Sequence, residues 1–364
     1  MRTLYPISQL NIASQYQLNI EPRRDRAFSK RTLLKTTVTS LLSLACASTL
    51  FAQAPSPATT VRDHLWLFSV FAGGNNRKTE ASPGGNTKHY IDDYAPGGSR
   101  MTPAEGAFWL GVPNLLFIRS EDNPPLPESE IGRKKTSFEQ YAISFQPLDR
   151  VVWSVVGSGG KGGMAELPAA LSLAKDFPNI RGVFLDDFVL KPTKQPDGSM
   201  LGRPAMELDE LRQARAQINA SGRPLEMWIT LYTQEINPER KNSKIPLRSC
   251  EPPLANFLGE FDVLTLWTWD STEIPELEAN LIALEKIAPK KARIALGLYL
   301  WDFYNKKPVP VELMKHQCDL GLKWLKEGRI SDMIFLANTM LDVGMPSAEF
   351  AREWVKKNGG EKLN

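Results

Sequence analysis

The chain has 364 residues, of which 42% are hydrophobic and 23% charged, ordinary values for a globular protein with a large buried core. The first 35 residues hold seven basic and two acidic side chains, so the rest of the chain carries −2 of the overall net charge of +3. This balance removes the electrostatic attraction on which nucleic-acid binding depends.

An export signal is predicted at the amino terminus. An apolar stretch at residues 36–51 follows the basic segment and ends in the triplet Ala52-Gln53-Ala54. Basic, apolar and small-residue regions in this order are typical of a cleaved signal peptide. We therefore expect a signal peptide over residues 1–54, a mature domain over residues 55–364, and a periplasmic or extracellular location. Residues 29–35 resemble the twin-arginine motif, with Lys30 in place of the first arginine.

Runs of β-branched and aromatic residues alternate with amphipathic stretches from residue 64 onwards, which is typical of βα units around a parallel sheet. The predicted strands are residues 64–71, 114–119, 150–156, 182–186, 225–232, 262–269, 293–301 and 330–337. The helices predicted after them are residues 103–110, 137–145, 165–175, 206–219, 253–257, 275–287, 311–327 and 347–357. Eight such pairs predict a single-domain α/β fold, the (β/α)8 or TIM barrel.

One glycine-rich segment favours a different fold. Residues 157–162 read GSGGKG, which fits the dinucleotide-binding pattern G-x-G-x-x-G, follows a predicted strand and precedes a helix, with Asp186 ending the next strand. The alternative fold is a doubly wound open sheet. Because the segment lies in the third of eight units rather than the first, we favour a flexible loop at the mouth of a barrel.

Two long insertions, residues 72–101 and 189–204, also follow strands and are expected on the catalytic face, either shaping a cleft or standing as solvated loops. Past residue 54 the cysteines are Cys250 and Cys318, which form either one disulfide or two buried thiols. The three histidines lack metal-site spacing, so no metal is assigned. A carboxylate-held Ca²⁺ near Asp186-Asp187 or Asp92-Asp93 stays open.

Acidic and aromatic residues follow the predicted strands at the end where barrel enzymes carry their active sites. The acids are Asp186, Asp187, Glu235, Asp270 and Asp302. The expected substrate-binding residues beside them are Trp267, Trp269, Trp301, Tyr299, Tyr232 and Asn338. Paired carboxyl groups cleave glycosidic bonds, and flat rings bind sugar faces. We therefore expect a carbohydrate site on this rim, with Asp186 and Asp187 on opposite faces of their strand.

The strand that ends at Asp186 resembles a glycosidase motif. The segment Gly182-Val183-Phe184-Leu185-Asp186 is similar to the G-x-x-x-D strand that carries the nucleophile in clan D and family 31 glycoside hydrolases, and Asp270 resembles their acid/base position. The resemblance implies a retaining glycosidase with Asp186 as nucleophile and Asp270 as proton donor. Asp187, Glu235 and Asp302 remain substitutes for either role.

Three functions are consistent with these residues. The first is a secreted hydrolase of oligo- or polysaccharides that needs no cofactor and binds no nucleic acid. The second is a non-catalytic glycan-binding barrel with the same aromatic rim. The third is an exported nicotinamide-dependent oxidoreductase that uses residues 157–162. Acids at strand ends also cap helices, and tryptophans also fill cores, so the prediction depends on their convergence.

Overall fold

The computed structural model describes residues 59–71, 94–95, 98–118, 137–241 and 243–363. By its contacts the chain divides into two units, Met1–Ala54 and Pro55–Asn364, and every described residue belongs to the second. The expected signal peptide, most of the insertion at residues 72–101, and Asp92-Asp93 lie outside the described residues.

The described chain forms a closed parallel barrel with two small additional sheets. Its strands are β1 (Leu65–Ser69), β2 (Asn114–Phe117), β3 (Arg150–Val156), β4 (Ile180–Leu185), β5 (Val189–Lys194), β6 (Met200–Pro204), β7 (Glu226–Tyr232), β8 (Arg248–Cys250), β9 (Val263–Trp267), β10 (Arg293–Tyr299), β11 (Trp301–Asp302), β12 (Lys307–Pro308) and β13 (Asp332–Leu336). The barrel runs in the order β1-β2-β3-β4-β7-β9-β10-β13 and closes from β13 to β1. These eight strands are those predicted, so the TIM barrel is confirmed and the open sheet is wrong.

Helices follow the barrel strands and pack outside them. In the described chain they are α1 (Pro103–Leu110), α2 (Ser137–Ser144), α3 (Leu167–Asp176), α4 (Leu208–Ala220), α5 (Thr233–Ile236), α6 (Leu277–Ile287), α7 (Val311–Lys326) and α8 (Pro346–Asn358). Local sequence sets their ends: α1 begins with a capping box of Thr102 and Glu105 and ends at Gly111, which has φ +79°. Among the described residues, no helix is both long and apolar enough to cross a membrane.

The helix predicted at residues 253–257 is the main error among these elements. The chain forms two short 3-10 turns there, Leu254–Asn256 and Leu258–Glu260. Pro252 and Pro253 cannot donate backbone hydrogen bonds, and the segment is too short to compensate with further helical turns. The one-turn helix α5, directly after β7, was not predicted.

The insertion at residues 189–204 is a β-hairpin rather than a solvated loop. Its strands β5 and β6 are antiparallel, and β8 adds alongside β6. The turn between β5 and β6 contains Gly198 at φ +86°, and the Asp197 carboxylate accepts hydrogen bonds from the Ser199 amide and hydroxyl. This small sheet joins the segments that follow barrel strands β4 and β7.

The barrel interior is layered, and contacts between rings on non-neighbouring strands identify its inward positions. Near the start of the strands, Trp66 contacts Trp228 with ring centroids 4.9 Å apart. One layer further, Phe68 lies 6.3 Å from Phe184 and 5.6 Å from Trp267. Because side chains alternate along a strand, the positions two residues beyond these also face inward, at the carboxyl-terminal mouth.

Trp267 lies across the barrel because the neighbouring strand provides space. A Cβ atom at Gly297 of β10 would lie 2.1 Å from the Trp267 ring, so only glycine fits there. The indole N–H of Trp267 donates to the Thr265 hydroxyl at 2.8 Å. Together with Phe68 and Phe184, this ring forms an aromatic floor below the mouth.

A buried ionic group closes the opposite end of the barrel. Asp332 is fully buried and accepts hydrogen bonds from the Trp66 indole at 2.7 Å and the Ser331 hydroxyl at 2.6 Å. The guanidinium groups of Arg150 and Arg293 lie 3.5 and 3.6 Å from its two oxygens. This end of a barrel commonly serves stability rather than catalysis.

Cys250 and Cys318 are both buried and do not form a disulfide. Cys250 lies on β8 of the small sheet and Cys318 lies on α7. Burial raises the pKa of Cys250 to about 11 and that of Cys318 well above its usual range. Of the two predicted alternatives, the structure therefore shows buried thiols, which are unreactive in this form.

Candidate active site

Asp186 lies at the mouth, directly after β4, two residues beyond the inward-facing Phe184. Its side chain is buried, with 6% of the residue exposed, and its Oδ1 accepts a hydrogen bond from the Thr230 hydroxyl of β7 at 3.0 Å. Its backbone N–H donates to the carbonyl of Val156 on β3. The strands on both sides of β4 therefore fix its position.

Asp187 reaches the same neighbourhood through an unusual backbone conformation. Regular alternation would direct its side chain away from Asp186, but Asp187 has φ +44°. Its Oδ1 accepts a hydrogen bond from the Tyr232 hydroxyl at 2.5 Å, and its Oδ2 accepts one from the Gly159 N–H at 2.7 Å. The expectation that the two carboxyl groups separate onto opposite faces is therefore wrong for their final placement.

Burial determines the protonation of this group of residues. Desolvation raises the pKa of Asp186 well above its usual range, and the charge of Asp187 raises it further. Burial also raises the pKa of Tyr232, with the charge of Asp187 as the next contribution. Burial raises the pKa of Tyr299 as well, and the charge of Asp186 is the next largest cause. Burial therefore favours the protonated form of Asp186, and both phenols remain hydrogen-bond donors near neutral pH.

Glu235 and Arg248 form an ion pair beside this cluster. The Glu235 side chain is 2% exposed, its Oε1 lies 3.2 Å from the guanidinium of Arg248, and its Oε2 accepts the Tyr232 backbone N–H at 3.0 Å. Burial raises the pKa of Glu235 to about 7, although Arg248 opposes this shift. Glu235 also caps the start of α5. Arg248 was missed because it lies well beyond the end of β7, where no strand-end pattern marks it.

Trp269 is the partly exposed ring of the mouth. Its ring centroid lies 5.4 Å from that of Tyr232, and the Arg248 guanidinium lies 5.7 Å from the Trp269 centroid. Partial exposure leaves part of an aromatic surface available to a ligand. Of the predicted substrate-binding rings, Trp269, Tyr232 and Tyr299 lie together with the aspartate pair.

Asp270 and Asp302 belong to a different cluster, which they form with Asn305. Both are fully buried. Asp270 Oδ1 accepts hydrogen bonds from the Thr272 amide and hydroxyl and from the Asn305 side chain. Asp302 accepts from the Ser271 amide and hydroxyl and from Asn305. These contacts connect the segments after β9 and β10, and Asp270 caps a 3-10 turn.

The remaining expected substrate-binding residues are built into the barrel. Trp267 and Trp301 are each 1% exposed. The side-chain amide of Asn338 is fully buried, accepts the Val70 N–H and donates to the carbonyls of Val70 and Met101. Asn338 thereby ties the end of β13 to the end of β1, and its amide has little capacity left for a ligand.

The glycine-rich segment is a tight turn whose amides bind protein acceptors. The N–H groups of Gly157, Gly159, Gly160 and Gly163 donate to Lys161 O, Asp187 Oδ2, Gly157 O and Val155 O, respectively. A dinucleotide pyrophosphate needs such amides free, and the Asp187 carboxylate would repel it. These contacts speak against the nicotinamide alternative.

Metal binding has no support in the described ranges, where no group of three or more His, Cys, Asp or Glu residues is arranged to hold an ion. This includes the surroundings of Asp186 and Asp187, whereas Asp92-Asp93 lies outside the described residues. What the mouth provides instead is a carboxyl group whose burial favours its protonated form, a second carboxyl group and aromatic neighbours.

The comparisons with known proteins identify no family for this chain. No family model matches the chain, and no curated protein matches it. Among solved structures, a candidate α-L-fucosidase from Bacteroides thetaiotaomicron has TM-score 0.49 and 11% identity, covering 86% of this chain and 99% of its own. A chitinase domain from Pyrococcus furiosus has TM-score 0.45 and 11% identity, covering 83% and 98%.

A family 5 mannosidase from Rhizomucor miehei has TM-score 0.43 and 10% identity, covering 83% of this chain and 95% of its own. All three carry the names of glycoside hydrolases, and each TM-score is below 0.5. Because one barrel fold hosts many chemistries, the function has to be argued from the site.

Proposed function

We propose that this chain is a glycoside hydrolase whose active site is the Asp186-Asp187 pair with Tyr232. The observation that carries the proposal is the convergence of two carboxyl groups on neighbouring side chains of β7 at the mouth of a closed barrel. Glycosidic cleavage requires one carboxyl group that donates a proton and one that stabilises positive charge at the anomeric carbon. Different environments separate those two roles.

In this proposal Asp186 is the proton donor. Burial and the charge of Asp187 raise the pKa of Asp186, which favours the acid role over the nucleophile role that the motif resemblance implies. The Asp186 proton passes to the glycosidic oxygen as the bond from that oxygen to the anomeric carbon breaks. Asp270 is a weaker candidate for the donor, because one of its oxygens caps a turn and the residue is fully buried.

Asp187 faces the anomeric carbon in this proposal, with its carboxylate oriented by Tyr232 and Gly159. It stabilises the developing positive charge and forms the glycosyl intermediate that water then hydrolyses. Retention of configuration belongs to the proposal because the intermediate forms on Asp187 and is then opened by water, so the anomeric carbon is inverted twice. Trp269 provides a surface for an adjoining sugar.

The test is a screen of the purified protein against aryl glycosides and polysaccharides, with product anomers followed by NMR. Asp186→Asn and Asp187→Asn should each lower kcat at least 1000-fold, of the order seen when a catalytic group is removed. Asp319→Asn, on the exposed face of α7, is the matched control and should retain activity. Wild-type activity in Asp186→Asn would overturn the assignment, and binding of a saccharide without any product would favour a glycan-binding barrel.

Export is a separate part of the proposal and rests on the sequence of residues 1–54. Sequencing of the amino terminus of protein recovered from the periplasm or medium should find the mature chain beginning at Pro55. Recovery of the intact 364-residue chain from the cytoplasm alone would contradict it.

A further inference from the structure

The small sheet beside the barrel carries a row of side chains that begins next to Trp269, at Arg248. Lys194 of β5 is paired in register with Met200 of β6, and Met200 is paired with Arg248 of β8. Residues paired across neighbouring strands project from the same face of a sheet. Two strand spacings separate Lys194 from Arg248, about 10 Å between their backbones.

Arg248 has hydrogen-bonding capacity that the protein does not use. Among the described residues its guanidinium donates one hydrogen bond, to Glu235, although a guanidinium has five N–H donors. Its side chain is 15% exposed and lies over the rings of Tyr232 and Trp269, with 5.9 and 5.7 Å from its central carbon to the ring centroids. A planar guanidinium with open donors binds carboxylate and similar oxyanions in a bidentate manner.

Lys194 extends the positive charge away from the aspartate pair. It is exposed and forms no ion pair with any residue in the described part of the chain. The barrel mouth itself carries the Asp187 carboxylate, which repels anions. A negative group on a ligand is therefore favoured on the side of Arg248 and Lys194 rather than at the reacting bond, although the chain after residue 35 carries a net charge of −2.

We propose that Lys194, Met200 and Arg248, together with Trp269, form a subsite for a negatively charged sugar. The charge is a uronic acid carboxylate or a sulfate ester, since both are oxyanions that a guanidinium recognises. The sugar ring lies on the exposed part of Trp269, its anionic group binds Arg248, and the next charged sugar along the chain reaches Lys194. Anionic sugars would be the substrate class of the proposed hydrolase. Cleavage of such sugars rests on the proposed function, whereas their binding does not.

The experiment measures oligosaccharide binding to the full-length Asp186→Asn protein by calorimetry. The probes are oligomers of galacturonate, of mannuronate and guluronate, and of glucuronate-substituted xylan, each compared with its methyl ester. A second arm compares sulfated chondroitin with its desulfated form. Esterification or desulfation removes charge and keeps the sugar, so the arm that responds identifies the anion.

We expect at least one charged oligomer to bind about tenfold more tightly than its neutral form, and less tightly in high salt. Arg248→Gln should remove most of that difference. Because loss of Arg248 leaves Glu235 without its ionic partner, the exposed Lys194→Gln provides an independent test, with an expected loss of about threefold. Arg203→Gln is the matched control, since Arg203 is exposed on the opposite face of the same sheet and should leave affinity unchanged.

Equal affinity for charged and neutral forms in every pair would overturn the inference, as would equal losses in Lys194→Gln and Arg203→Gln. Its failure is distinguishable from failure of the proposed function. Cleavage of neutral glycosides without a preference for charge would remove the anionic subsite and leave the hydrolase. Charge-dependent binding with no cleavage by the wild-type protein would support the anionic subsite and overturn the hydrolase function.

Discussion

The hydroxyl of Tyr232 donates a 2.5 Å hydrogen bond to Oδ1 of Asp187, joining the end of β7 to the residue that turns away from β4. Since Asp187 has φ +44°, its side chain depends on such contacts to hold its orientation. The raised pKa of Tyr232 ensures that the phenol is a donor throughout the neutral range. The contact therefore orients the second carboxyl group of the proposed site.

Tyr232→Phe removes this donor and keeps the ring. We expect kcat on a substrate found by the glycoside screen to fall roughly 10- to 100-fold, because a hydrogen bond to a charged group contributes about 1.5–3 kcal/mol. Steady-state kinetics measure the change. Tyr141→Phe, on α2 outside the barrel, is the control and should retain kcat. An unchanged kcat in Tyr232→Phe would show that the hydroxyl does not orient a catalytic group.

Glu235 makes folding stability depend on pH. Its pKa is about 7 in the folded protein against an ordinary value of 4.5, so the folded state binds more protons between those values. The stability from this group is present below pH 4.5 and is lost as the pH rises through 7. We expect Glu235→Gln to reduce the fall in unfolding free energy between pH 5 and pH 8 by about 2 kcal/mol.

Urea unfolding at the two pH values measures this difference. Asp186 also has a raised pKa, but it is present in both proteins and cancels in the comparison. Glu239→Gln, an exposed carboxyl group on the loop after α5, should keep the wild-type pH dependence. If the unfolding free energy of Glu235→Gln falls between pH 5 and pH 8 as much as that of the wild type, a group other than Glu235 causes the pH dependence.

Gly160→Ala should destabilise the turn that holds Asp187. A Cβ at Gly160 would lie 1.7 Å from Leu190 Cδ2 and 2.9 Å from the Asp187 carbonyl oxygen. Gly198→Ala is a matched control, because Gly198 also has positive φ but has open space around it. We expect a loss of about 1 kcal/mol for Gly198→Ala from backbone conformation alone and about 2–4 kcal/mol for Gly160→Ala. Only the second should also lower kcat.

Asp332→Ala tests the buried group at the opposite end of the barrel. It leaves the Trp66 indole without its acceptor and removes the charge near Arg150 and Arg293. We expect a loss of roughly 3 kcal/mol in unfolding free energy, typical of breaking a buried ionic group, with kcat per folded molecule unchanged. Asp319→Ala on α7 should change stability by less than about 0.5 kcal/mol. A large fall in kcat with little loss of stability would contradict this division between the two ends.

The barrel was predictable because its signal repeats. Each strand is a short apolar run followed by an amphipathic helix, so an error in one unit, such as the helix at residues 253–257, does not change the count. The hairpin of β5 and β6 was missed because its polar sequence, with Lys194, Asp197 and Gly198, has little hydrophobic alternation. It pairs with β8, a segment distant in sequence, and local pattern carries no information about that pairing.

The gathering of acids and rings at one end of the barrel was predictable, whereas which of these side chains lie together was not. Side chains alternate along a strand, and Trp267 and Trp269 face the barrel interior. The same alternation predicts that Asp270 points outward, away from the mouth. The inward placement of the Asp187 side chain depends on its positive φ angle, which the sequence pattern does not predict. Asn338 binds backbone groups of Val70 and Met101, which lie far from it in sequence. The local sequence around residue 338 does not predict these contacts.

The aromatic floor limits how Asp186 can exchange its proton with solvent. Phe68, Phe184 and Trp267 seal the barrel directly beneath Asp186, so solvent cannot approach that carboxyl group from below. Proton exchange at Asp186 is therefore expected from the side of the barrel mouth. A saccharide bound over the mouth would then separate the Asp186-Asp187 pair from bulk solvent, and proton exchange at the pair would slow while the ligand is bound.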